Sequence, residues 1–213
     1  MNLSEPVVHV VDDDASFLVA MSRLLRAKGF AVRTFHSAAD FLTREETDGP
    51  GCVVADLHMP VLNGLDLQRA LARAPNPLPV VFLTGNADTV STVRAMRNGA
   101  EDFLEKRAPG KTLVDAVERA LARDTVDRAA RERQQAAQAR FARLTTRERE
   151  VLAHVLRGRL NKQICSDLDV SERTVKLHRA GIMKKVRADS LPALTLAAQE
   201  AGFTAGADFT KGQ

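Results

Sequence analysis

Short runs of β-branched residues alternate with stretches of helical periodicity through the first 110 residues, and this alternation constrains the fold more than any other feature. Strands separated by helices must be joined by crossovers, so the pattern specifies a parallel sheet covered by helices. Candidate strands are Val7–Val11, Ala31–Phe35, Cys52–Asp56, Val80–Leu83 and Asp102–Leu104. Between the first two, Phe17, Leu18, Met21, Leu24 and Leu25 follow the i, i+3, i+4, i+7 spacing of an amphipathic helix over 15–28, which Gly29 ends. Further helices fit 38–44, 65–73 and 89–98, the last ended by Gly99. The expected architecture is a doubly wound α/β fold with a five-stranded parallel sheet.

From Lys111 to Arg157 the sequence contains neither Gly nor Pro and is rich in Ala, Arg, Gln and Glu, all good helix formers. Leu113, Val117 and Leu121 supply a stripe that can pack on the sheet, whereas 125–140 fades into Ala and charge, as suits a helix between two domains. The expected division is a first domain over 1–124, a helical linker over 125–140 and a second domain over 141–213. In the second, Thr145 and Glu148 make a capping box, Val151, Leu152, Val155 and Leu156 an apolar face, and Gly158 a stop. Asn161 is expected to cap a short helix carrying Ile164 and Leu168; Asp169 and Val170 turn the chain; Ser171 caps a longer helix to about Val186. A last helix follows Ser190, with Pro192 in its first turn and Gly202 at its end. This is a small all-α, four-helix domain with the short helix, tight turn and longer basic helix of a helix-turn-helix.

Charge divides the same way. Residues 1–110 hold 11 Lys/Arg against 14 Asp/Glu, a balance of −3, whereas residues 141–213 hold 13 against 8, a balance of +5. A basic C-terminal domain is the electrostatic footprint of a polyanion partner. No apolar run approaches the roughly 20 residues of a membrane span, and the N-terminus lacks the pattern of a secretory signal. A cytoplasmic location without a membrane partner is expected. Cys52 and Cys165, far apart and without metal-spaced neighbours, suggest neither a disulfide framework nor a zinc site, and both are expected to be buried.

In open parallel sheets, chemistry collects at the carboxyl ends of the strands. Here those ends present Asp12 and Asp13, then Asp56, then Thr84, then Lys106. Three converging carboxylates repel one another unless a divalent cation sits among them, and Mg²⁺ takes one or two carboxylates while leaving positions for water and phosphate oxygens. A hydroxyl and an ammonium beside it suit a transferred phosphoryl group, whose charge lies on its equatorial oxygens. The pocket is thus suited to receive phosphate on Asp56. At the other end of the chain, Val175, Ile182 and Val186 should face a core, which leaves Lys176, Leu177, Arg179 and Ala180 outward. Ser171 and Thr174 lie near the start of that helix, and such side chains read base edges or meet phosphates in a major groove.

The runs VHVVDDD at 8–14, DLHMPVLNG at 56–64, FLTG at 82–85 and DFLEK at 102–106 closely resemble the receiver domains of two-component response regulators. LTTREREVL from Leu144, NKQICSDL from Asn161 and SERTVKLHRAGIMKKV from Ser171 resemble the LuxR-type helix-turn-helix, so the chain looks like the NarL/FixJ class over nearly its whole length. That resemblance implies a flavodoxin-like receiver in which Asp56 accepts phosphate from a sensor histidine kinase. It implies Mg²⁺ held by Asp13, Asp56 and the backbone carbonyl of His58, with Asp12 acting mainly through water. It also implies that Thr84 and Lys106 hold the phosphate, that Phe103 is an aromatic switch, and that a phosphorylated homodimer binds an inverted repeat in double-stranded DNA. The expected DNA contacts are Ser171, Thr174, Lys176, Leu177, His178, Arg179 and Lys184, and the chain is expected not to be an enzyme. One position departs from the class: Arg107 follows Lys106 where Pro is usual. The Lys106–Arg107 peptide is therefore expected to be trans, and Lys106 to be aimed differently.

Two rival readings share these residues. Asp12 and Asp14, with Thr84 and Lys106, echo haloacid-dehalogenase phosphatases, with Asp12 as nucleophile and Asp14 as acid/base. That family needs a further acidic pair on a later loop, which nothing between Lys106 and the linker supplies. The other is a phosphorylation-independent DNA-binding regulator that uses the first domain as a dimerisation module.

Overall fold

The computed structural model describes residues 5–43, 49–85 and 88–203. The backbone divides into two compact units, Met1–Arg128 and Ala129–Gln213.

The first unit is built on strands β1 (Val7–Val11), β2 (Ala31–Phe35), β3 (Gly51–Asp56), β4 (Val80–Thr84) and β5 (Asp102–Glu105). They form one parallel sheet in the order β2-β1-β3-β4-β5. The connections are α1 (Ala15–Ala27), α2 (Ala38–Leu42), α3 (Gly64–Leu71) and α4 (Thr89–Arg97), followed by α5 (Gly110–Ala142). The expected end of the second helix at Arg44 lies outside the described residues.

Strand alternation explains how the sheet is covered on both faces. Val8, Val10, Cys52, Val54, Val81 and Leu83 face one side and pack with Leu18 and Leu25 of α1 and Leu113, Ala116, Val117 and Ala120 of α5. Val11, Val53, Ala55, Val80 and Phe82 face the other and pack with Phe41 of α2, Leu67 and Leu71 of α3 and Ala95 of α4. His9 is buried between the rings of Phe35 and Phe41, at 5.8 and 5.5 Å between centroids. Burial and the nearby Arg33 push its imidazole down to about 4, so at neutral pH it is an uncharged core residue.

The stripe read over Leu113, Val117 and Leu121 belongs to α5, a single helix of 33 residues whose first turns cover the sheet. Asp124, buried on this helix, accepts from the Gly51 N–H at 3.0 Å, and the Arg128 guanidinium donates to the Gly49 carbonyl at 2.8 Å. These bonds tie the helix to the amino end of β3.

The second unit holds α6 (Thr146–Leu156), α7 (Asn161–Leu168), α8 (Glu172–Val186) and α9 (Leu191–Glu200) around Phe141, Val151, Leu152, Ile164, Val175, Ile182, Val186 and Leu194. The Thr145 capping box forms as the spacing requires. Glu148 is buried and its Oε2 also accepts from Lys185 Nζ at 2.6 Å. Asn161 is not the cap of α7: it is the first helical residue, Leu160 occupies the cap position, and the Gln163 side chain accepts the Leu160 N–H at 2.9 Å. Asp169 and Arg187 end α7 and α8 in the left-handed conformation. Cys52 is buried, but Cys165 is only half-buried. Among the described residues no helix is long and apolar enough to cross a membrane.

Candidate functional site

The register of the parallel sheet brings four strand ends to one edge, where the order reverses between β1 and β3 and opens a crevice. Asp12 follows β1, Asp56 ends β3, Thr84 ends β4, and Lys106 follows β5. Asp12, Asp13 and Asp56 offer carboxylate oxygens within 4.8 Å of one another. Asp12 and Asp56 are buried and Asp13 is exposed, so the cluster has a closed floor and an open mouth. Lys106 Nζ lies 2.6 Å from Asp12 Oδ2 and 3.0 Å from Asp56 Oδ2. Burial raises the Asp12 carboxyl above the usual carboxylate range, against the pull of Lys106 and of the Asp14 N–H. For Lys106, burial works toward a lower value, but the bonds to Asp12 and Asp56 prevail and hold the ammonium above its ordinary range.

The peptide after Lys106 is trans, as the Arg107 substitution requires. Lys106 nevertheless reaches the acidic cluster, so the expected change of aim does not remove it from the pocket. The Lys106 N–H donates to the Thr84 carbonyl at 2.8 Å, continuing the strand pairing. Arg107 turns away to Glu105, 2.5 Å from Nε to Oε2.

Asp14 is the N-cap of α1 and accepts from Ser16 N at 2.8 Å and Phe17 N at 3.2 Å. Its Oδ1 is thus engaged in capping the helix, where the rival reading gives Asp14 an acid/base role. Thr84 is fully buried, and its Oγ1 lies 3.3 Å from His58 Nδ1, while the His58 N–H donates to Asp56 Oδ1 at 3.3 Å. Sequence reasoning assigned His58 only through its carbonyl; the imidazole contact joins residues far apart in the chain and has no spacing signal. Phe103 is half-buried against the core, its centroid 6.0 Å from that of Phe82. Gly64 closes the loop after β3, where a Cβ would stand 2.5 Å from the Asp56 carbonyl oxygen and 2.7 Å from Phe82 Cε1.

In the second unit, Val175, Ile182 and Val186 of α8 are buried as expected, and Lys176, Leu177, Ala180 and Lys184 are exposed. Ser171 caps α8 by accepting from Thr174 N at 3.2 Å, and the two hydroxyls lie 2.8 Å apart. Lys176 Nζ pairs with Glu172 at 3.1 Å, while Leu177 is 65% exposed. His178 and Arg179 are half-buried; Arg179 borders a cavity with Val155, Ile182, Met183, Leu191 and Leu194.

A parallel five-stranded sheet with an acidic, lysine-bridged crevice, joined to a four-helix domain with an outward basic helix, defines a receiver coupled to a helix-turn-helix. Residues 8–118 match the response regulator receiver domain, and residues 142–198 match the bacterial regulatory proteins of the luxR family. The chain is 39% identical to the response regulator protein TmoT of Ectopseudomonas mendocina over 90% of this chain and 87% of that protein. It is 37% identical to the transcriptional regulatory protein FixJ of Rhizobium meliloti, over 94% and 98%. Among solved structures, the response regulator StyR aligns with a TM-score of 0.79 at 41% identity, covering 92% of this chain and all of that one. Full-length FixJ from B. japonicum aligns with a TM-score of 0.56 at 35% identity, over 93% and 98%. The chain belongs to the response regulators that join a receiver to a LuxR-type helix-turn-helix, and it is a DNA-binding transcription regulator.

Proposed function

We propose that phosphorylation of Asp56 by a sensor histidine kinase controls DNA binding by α8. The observation that carries this reading is the convergence of Asp12, Asp13 and Asp56, bridged by Lys106, at the carboxyl edge of the sheet.

An Asp56 oxygen attacks the phosphorus of a phosphohistidine, the phosphorus–nitrogen bond breaks, and an acyl phosphate forms. Asp13, Asp56 and the His58 carbonyl are the groups suited to hold Mg²⁺, with Asp12 acting mainly through water. When bound, that ion offsets the charge gathering on the phosphoryl oxygens. Lys106 turns its ammonium from the carboxylates to a phosphoryl oxygen, and the Thr84 hydroxyl donates to another. Thr84 is drawn inward, Phe103 turns into the space it leaves, and the face made by α4, β5 and α5 is reshaped for a homodimer. Two copies of α8 then address an inverted repeat in double-stranded DNA through Ser171, Thr174, Lys176, Leu177, His178, Arg179 and Lys184. The boundaries 1–124, 125–140 and 141–213, and a cytoplasmic location, belong to the same proposal.

Exposure to phosphoramidate and magnesium, read by intact mass, tests the acceptor. The wild-type chain should gain one phosphoryl group and Asp56→Asn none, with the fold retained; phosphoryl gain by the Asn variant would place the acceptor elsewhere.

A further inference from the structure

We propose that Phe17 is a positioning residue for Lys106, its ring forming a platform that keeps the ammonium beside the acidic cluster. Lys106 Nζ lies 4.4 Å from the centroid of the Phe17 ring. Phe17 stands in the first turn of α1, and its N–H is held by Asp14 at 3.2 Å, so the ring belongs to an anchored turn. It is half-buried and packs against the core cluster on the face of the sheet covered by α1 and α5.

The need for a platform follows from the chemistry proposed for Asp56, on which this inference rests. Lys106 rests between Asp12 and Asp56, but phosphoryl transfer requires its ammonium on an oxygen that arrives later. A lysine has a flexible four-carbon stem, and the freedom it gains on leaving a carboxylate has to be limited. A carboxylate would compete with phosphate for the same protons. An aromatic face attracts the cation through its quadrupole without accepting those hydrogen bonds. The ring therefore restrains Nζ while leaving its donors free to turn. The side chain of the next residue, Arg107, pairs with Glu105.

Two substitutions separate the ring from the volume it fills. Phe17→Leu keeps an apolar side chain and removes the π face; Phe17→Tyr keeps both. In proton NMR of the full chain without phosphodonor, the ε-methylene of Lys106 should be shifted upfield by the ring, and should lose that shift in Phe17→Leu but keep it in Phe17→Tyr. The initial rate of phosphoryl gain from phosphoramidate with magnesium should fall roughly 2- to 30-fold in Phe17→Leu, the range expected for losing one cation–π contact, and stay near wild type in Phe17→Tyr. A wild-type rate in Phe17→Leu, a Phe17→Tyr variant as slow as Phe17→Leu, or an unshifted Lys106 in the wild type would overturn the proposal. Should the wild-type chain gain no phosphoryl group, the acceptor reading fails by itself, and the NMR comparison still decides whether the ring holds Lys106.

Discussion

The pocket in the first unit draws its groups from the ends of four strands, whereas the outward face of α8 draws its groups from one helix and its cap. In the pocket the charged groups engage one another over long sequence distances, with Lys106 bridging Asp12 and Asp56. On the outward face of α8 the polar contacts are local, Ser171 with Thr174 and Lys176 with Glu172, whereas Lys185 in its last turn pairs with the buried Glu148 of α6. A site assembled by register is pre-formed and sensitive to any change in sheet packing. A site carried on one helix tolerates such changes but must exchange its local partners when it meets DNA. The two regions should therefore fail under different perturbations.

Acid separates them most strongly. The folded first unit holds His9 neutral, with its pKa lowered from 6.5 to about 4, so its stabilising effect is present above 6.5 and is lost as pH falls toward 4. That shift corresponds to about 3 kcal/mol at its limit. In the second unit, burial works toward raising Glu148, but Lys185 and Thr145 prevail and hold it below 4.5, so its contribution persists until pH falls below that value. Thermal unfolding followed by separate probes in each unit should show the first weakening at pH 5, and His9→Leu should remove that dependence. Parallel loss in both units at pH 5 would contradict the contrast.

Gly64→Ala is expected to destabilise the first unit by about 1 to 3 kcal/mol, because its Cβ would collide with the Asp56 carbonyl and Phe82. Phosphoryl gain should slow with it, whereas specific DNA affinity of the unphosphorylated chain should stay unchanged. Lys176→Ala should do the reverse, weakening specific binding by about 1 to 3 kcal/mol in both phosphorylation states with unaltered phosphoryl gain; gel-shift titrations read this. Asp14→Ala marks the smallest effect, about 1 kcal/mol of stability from a lost helix cap. A metal titration should find its Mg²⁺ affinity near wild type while that of Asp13→Ala is strongly reduced; equal losses would favour the rival in which Asp14 takes part in the chemistry.

Much of this organisation was legible in the sequence, for reasons that particular residues make clear. Val53, Val54 and Ala55 fill both faces of a buried strand, and such a run admits few alternatives. Asp56 was legible because a strand end points its side chain into the crevice. The contacts of Phe17 with Lys106 and of His58 with Thr84 were not legible: each joins elements remote in sequence, and neither residue interrupts a periodic pattern. Asn161 misled because Asn is a good helix cap, yet Gln163 reaches back and lets the helix begin one residue earlier than a capping Asn would allow, with Leu160 in the cap position.

The central claim is that phosphate in the pocket changes what the helix does. Titration of the chain against its specific DNA at fixed salt, with and without phosphodonor, tests it most directly. Coupling of about 1 to 3 kcal/mol should appear as a 5- to 150-fold gain in affinity on phosphorylation. Equal affinities, with a dimer present in both states, would contradict phosphorylation control and leave the first unit as a dimerisation module.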